Sequence, residues 1–109
     1  MNRGPVWGAA SEDLNATMLV WPAGEGPGEH VNESRDVLYV VVDGSVELTV
    51  DGEKSELRAG EAVIVDKGAR RALVAGPDGA TYATAHLRRG GLQISAPPLP
   101  APPESSSTR

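Results

Sequence analysis

At 109 residues the chain has room for one domain built on one core. Its composition, 39% hydrophobic and 23% charged, is that of an ordinary globular protein, and a net charge of -5 argues against general attraction to nucleic acid phosphates or anionic membranes. The absence of cysteine excludes disulfides, thiolate nucleophiles and Cys-based zinc sites.

The N-terminus, with Arg3, Pro5 and Trp7, has no charged region leading into an apolar run, and no apolar stretch reaches bilayer length, so a soluble cytoplasmic protein is expected. Residues 4–10 predict a short leading strand around Val6 and Trp7. Residues 13–21 predict a longer one, in which Leu14, Ala16, Met18 and Val20 share a side by the period of two. Pro22, Gly24, Gly26, Pro27 and Gly28 make a loop too rich in turn residues to be helical, and such a loop serves either as a pocket rim or as plain surface. The run 37–42 is apolar on both faces, the mark of a strand covered on both sides, by its own chain or by a second subunit. A turn is expected at Asp43 and Gly44. In the next strand Val46, Leu48 and Val50 face one way and Glu47 and Thr49 the other. Asp51 and Gly52 then predict a tight hairpin into a polar, exposed strand over 54–58. Residues 62–65 form the next buried strand, closed by Asp66, Lys67 and Gly68. Residues 70–75 follow, and Gly76, Pro77, Asp78 and Gly79 are expected to turn the chain into a last strand over 80–88. On that strand Tyr82, Thr84, His86 and Arg88 share a face opposite Thr81, Ala83, Ala85 and Leu87, and either face could be the inner one.

No stretch holds an apolar period near 3.6 with caps, so helices are not expected. Roughly eight to ten short strands joined by Gly, Pro and Asp turns predict a closed or double-sheet all-β domain. The division expected is an N-terminal strand or arm over 1–11, a barrel over 12–91 and a disordered Pro- and Ser-rich tail over 92–109.

Two segments carry the chemistry. Gly24, His30, Asn32 and Gly44 frame the first, and Gly60, Asp66, Gly68 and Arg71 the second. Their spacing resembles the two motifs of the cupin superfamily. The first motif reads Gly, five residues, His-x-His, three or four residues, Glu, six residues, Gly. Asn32 stands at its second His. Counting back from Gly44 puts Val37 at the Glu position, and counting forward from Asn32 also allows Asp36. The second motif reads Gly, five residues, Pro-x-Gly, two residues, His, three residues, Asn. Gly60 and Gly68 match, with Asp66 at the Pro, Arg71 at the His and Ala75 at the Asn. The resemblance implies a single antiparallel jelly-roll barrel.

In metal-bearing cupins two His and a Glu of the first motif and a His of the second hold one divalent ion. Of these only His30 is present. His30 and Asn32, two apart on a strand, project to the same face, but an imidazole and a neutral amide make a poor zinc or iron site. A replacement shell would need Asp36 and His86 beside His30. Arg71, cationic at any working pH, disfavours a metal and favours a carboxylate or phosphate if it points inward; Arg70 and Arg71 are otherwise surface charges. The resemblance and these residues predict a non-enzymatic binding module for a small, anionic molecule. No cofactor is expected, and the pocket would be lined by His30, Asn32, Tyr39, Arg71 and His86. One alternative is a metal-dependent oxygenase or isomerase with a shell of His30, Asp36 and His86. The other is a homodimeric interaction protein that uses the two-faced apolar strand 37–42.

Overall fold

With no phenylalanine and few other aromatics, the interior is packed by aliphatic and β-branched side chains, which fit a pleated backbone. The computed structural model describes residues 3–88, and among these there is no helix. Seven antiparallel strands make up the fold: β1 (Gly4–Ala10), β2 (Leu14–Trp21), β3 (His30–Val31), β4 (Val37–Val50), β5 (Glu53–Arg58), β6 (Ala62–Val65) and β7 (Arg70–Leu87). The expected tail over 92–109 lies outside the described residues.

The architecture follows from the two long strands. β4 and β7 pair along almost their whole length, from Leu38 opposite Ala85 to Val50 opposite Arg71. The first half of β4 also pairs with β6 and the second half with β5. β7 divides likewise: its second half pairs with β2, which carries β1, and its first two residues pair with β3. The seven-stranded sheet is thereby divided by register into two layers, ordered β1-β2-β7-β4-β6 and β3-β7-β4-β5, that share two bent strands, which is the jelly-roll arrangement of an all-β barrel.

Two expected turns are instead bends within these strands, which is why seven strands stand where more were expected. At Gly44 the chain does not reverse but bulges. Gly44 has a φ of 74°, and a Cβ there would run into the Gly79 carbonyl. On the facing strand residues 76–79 fall between Ala75, opposite Val46, and Ala80, opposite Gly44. Such bulges sharpen the local bend, and here they fold the ribbon onto itself. The hairpin at Asp51 and Gly52 is present as expected, with both φ angles positive (49° and 90°), the condition for a two-residue turn that matches strand twist.

Inward residues alternate along the strands. Val37, Tyr39 and Val41, then Val46 and Leu48, join Val65, Leu73, Ala75, Ala80 and Tyr82 in the core. Leu38 and Val40 are only half-buried and Val42 is 51% exposed, so the chain by itself covers just one face of the strand 37–42. No helix among the described residues is long and apolar enough to cross a membrane.

Candidate functional site

Between the two sheets lies a cavity of about 230 Å³. β2 contributes Thr17 and Leu19, β3 contributes His30, and the loops on either side of it supply Pro27 and Asn32. β4 gives Val37 and Tyr39, and β7 gives Arg71, Leu73, Tyr82, Thr84 and His86. Strand register sets this wall. Thr84 stands opposite Thr17 on one side and Tyr39 on the other, and Tyr82 opposite Leu19 and Val41, so these side chains form rows on one face. The undecided face of the last strand is settled: Tyr82, Thr84 and His86 point inward.

Arg71 is the unusual member. It is 1% exposed, although Arg is almost never fully buried without a partner. Its Nε donates to the Ala69 carbonyl at 3.3 Å, and Nη2 donates to the carbonyls of Asp66 and Ala69, both at 3.1 Å. Nη1 reaches the Tyr39 hydroxyl at 3.4 Å. All of these acceptors are neutral. The ion pairs among the described residues involve Arg3, Arg58 and Arg70, not Arg71. Arg70, next in the chain, points the other way, 3.6 Å from Glu29. The two arginines thus divide between the expected surface and interior positions.

His30 stands directly opposite Arg71 in the strand register, at the exposed mouth, with Nδ1 3.0 Å from the Gly28 carbonyl. His86 is half-buried, with Nδ1 3.0 Å from the Leu87 carbonyl. The Asn32 side-chain oxygen is committed to its own loop, accepting from the backbone N–H groups of Ser34 at 3.2 Å and Arg35 at 3.1 Å. Tyr39 and Tyr82 lie with ring centroids 6.2 Å apart. Burial pushes the Tyr82 phenol up to about 12. The neighbouring Trp21 indole offsets this only in part, and Tyr39 adds to the rise. The Trp21 indole nitrogen is itself buried without a hydrogen bond of ordinary geometry.

Of the sequence-derived candidates, His30, Asn32, Tyr39, Arg71 and His86 are brought together. Asp36 is not. Val37 takes the inward position at 6% exposure, while the exposed Asp36 carboxylate accepts the Lys67 backbone N–H at 2.9 Å. A shell of His30, Asp36 and His86 is therefore not assembled, and among the described residues no three His, Cys, Asp or Glu side chains are placed to hold a metal ion. Two imidazoles, an amide whose oxygen is occupied and a guanidinium do not fit a divalent cation. Tyr82, Thr84 and Thr17 are lining residues that the sequence reading did not single out. The alternation with His86 held the signal for the first two. A larger hollow of about 600 Å³, bordered by Glu47, Lys54 and Glu56, gathers only exposed charges and no buried one.

A double-sheet β-barrel with a cavity between its sheets, lined by apolar side chains and by a few polar ones, defines the class of protein. The chain matches the Cupin domain family (Cupin_2) over residues 16–83, and it belongs to that family. It is 35% identical over 69 residues to dimethylsulfoniopropionate lyase DddW of Ruegeria pomeroyi, a match that covers 61% of this chain and 45% of the lyase, so the chain spans less than half of that protein's length. Among solved structures it is similar to KdgF from Halomonas sp. (30% identity, TM-score 0.67, covering 80% of this chain and 78% of that one). It is also similar to a cupin protein from Bacteroides fragilis (26% identity, TM-score 0.65, covering 77% and 73%).

Proposed function

We propose that this cupin binds a small organic anion in the cavity between its sheets, with Arg71 as the charge anchor, and that it does so without a divalent ion. The observation that carries the reading is the burial of the Arg71 guanidinium on the cavity wall with only neutral oxygens around it. Guanidinium does not deprotonate at working pH, so the fold bears the desolvation cost of a cation, several kcal/mol, until an anion arrives. Titration calorimetry with small carboxylates and with phosphate, on the wild type and Arg71→Met, tests this. Saturable binding that vanishes in the variant is expected, and binding indifferent to Arg71 would overturn the reading.

Similarity to a lyase over 69 residues favours a second reading, an enzyme, and the metal-bearing members that the cupin motifs resemble make its expected form metal-dependent. It requires stoichiometric divalent metal in protein purified without an affinity tag, lost in His30→Ala. Metal content near zero after incubation with zinc, iron, manganese or nickel is the outcome expected under the anion reading.

We also propose that the barrel pairs with a second copy of itself. Across the outer face of the β1-β2-β7-β4-β6 sheet run two rows fixed by register: Ala9, Ala16, Ala85, Leu38 and Ile64, and Trp7, Met18, Ala83, Val40 and Ala62. Every position is apolar, whereas an antiparallel sheet facing water alternates with polar residues.

A further inference from the structure

We infer that the anion is a small hydroxycarboxylate, an inference that rests on Arg71 as the anchor. A guanidinium has five N–H donors. Those on Nε and Nη2 are taken by the Ala69 and Asp66 carbonyls, which fixes the plane of the group. Nη1 keeps one N–H free beyond the one directed at the Tyr39 oxygen, 3.4 Å away. Because that oxygen accepts from the guanidinium, the Tyr39 O–H remains available to donate to a ligand. Two donors, one charged and one neutral, therefore stand side by side on the cavity wall, the arrangement that seats the two oxygens of one carboxylate. A phosphate dianion is a poor match, since one cation and two donors leave charge and acceptor oxygens unpaired in a buried site.

His30, the register partner of Arg71, and His86, further along β7, bring the opposite polarity to the cavity. Nδ1 of His30 and of His86 each lie 3.0 Å from a backbone carbonyl, which can only accept, so each Nδ1 carries the proton. In the neutral rings both Nε2 atoms are then acceptors, and both rings line the cavity. Acceptors call for a donor on the ligand. An ammonium would add a second positive charge beside Arg71, whereas a hydroxyl adds none, and the hydroxyls of Thr17 and Thr84, directly opposite one another, can donate to or accept from it. The volume of about 230 Å³ holds some seven or eight non-hydrogen atoms at water's share of about 30 Å³ each. A hydroxy acid of three or four carbons fits.

The full-length protein is titrated with L-lactate, propionate and inorganic phosphate, using wild type, Tyr39→Phe and His86→Leu, with circular dichroism confirming that each variant is folded. The expected results are lactate binding about tenfold or more tighter than propionate, and phosphate weaker than both. Tyr39→Phe should weaken lactate and propionate alike by about tenfold, and His86→Leu should weaken lactate by several-fold more than propionate, narrowing the gap between them. Arg71-dependent binding in which phosphate equals lactate, or in which Tyr39→Phe changes nothing, overturns the hydroxycarboxylate and leaves the Arg71 anchor standing. Absence of Arg71-dependent binding of all three anions overturns both.

Discussion

Arg71 shows how one residue within a family-like spacing changes what a cavity can hold. At the position where the motif has a His stands a permanent cation, and at the Glu position stands Val37, so the acidic partner that would neutralise it is absent from the cavity wall. Restoring that partner is a direct test. Val37→Glu should place a carboxylate in the same cavity, ionised by its proximity to Arg71, and should weaken anion binding by about tenfold or more through competition for the guanidinium. Calorimetry on a variant that still folds checks it, and unchanged affinity would show that ligands do not use Arg71. Tyr82 gives a second residue-level expectation. Its phenol is raised by burial to about 12 in the fold, against 10.0 for the unperturbed group. The folded state therefore holds the proton more tightly than the unfolded chain. The contribution to stability is complete below about pH 10 and is lost as pH rises through about 12, amounting to roughly 2–3 kcal/mol at the extreme. Urea unfolding across that window should show a fall in wild type that is shallower in Tyr82→Phe.

At the scale of elements, two glycines with similar angles are predicted to behave differently. Gly52 (φ 90°) closes the β4–β5 hairpin with open space where a Cβ would go, so Gly52→Ala should cost only the left-handed conformation, about 1–2 kcal/mol. Gly44 (φ 74°) carries the same penalty, and its Cβ would also meet the Gly79 carbonyl. Gly44→Ala should therefore lose at least about 1–3 kcal/mol more than Gly52→Ala by chemical denaturation, because the two bent strands would have to part. The same pair marks how far sequence reading reaches. The dipeptide Asp51 and Gly52 was legible as a hairpin because both residues suit positive φ. Asp43 and Gly44 carry an equivalent local signal, yet they form a bulge, because the choice between reversing and bending is made by the β7 backbone lying alongside, far away in sequence. The site divides in the same way. The glycine spacing brought out His30, Asn32 and Arg71, since turn glycines anchor the frame. The inner face of β7 could not be told from its outer face by alternation alone, because both faces carry apolar residues, so Tyr82 and Thr84, already in step with His86, could be assigned to the cavity wall only once register set them opposite Leu19, Thr17 and Tyr39. Asp36 was a fair candidate by count, and what removes it is the Lys67 backbone N–H, a partner 31 residues away in sequence that no spacing rule contains.

For the whole molecule, the cavity and the apolar outer face lie on opposite sides of the same sheet. Inward go Thr17, Tyr39, Thr84 and His86, and outward Met18, Ala83, Val40 and Ala62. Trp7 is 57% and Ile64 61% exposed on that outer face. A face without a charge in either row is a poor seat for a polar or ionic partner, and a sheet face with small alanines along its centre suits a second identical face related by a two-fold axis. A stable pair of this kind buries about 800 Å² per partner. Light scattering coupled to size exclusion should give twice the chain mass, and Val40→Glu should halve it, because two carboxylates would be brought into an apolar interface. Val40 points away from the cavity, so the variant should keep its strand content by circular dichroism and its Arg71-dependent anion binding. A wild type that stays monomeric as concentration rises, or a Val40→Glu protein that remains paired, would sink the homodimer through this face without touching the cavity reading. Loss of anion binding in a folded monomer would instead mean that the second copy shapes the site through the strands that the cavity and the outer face share.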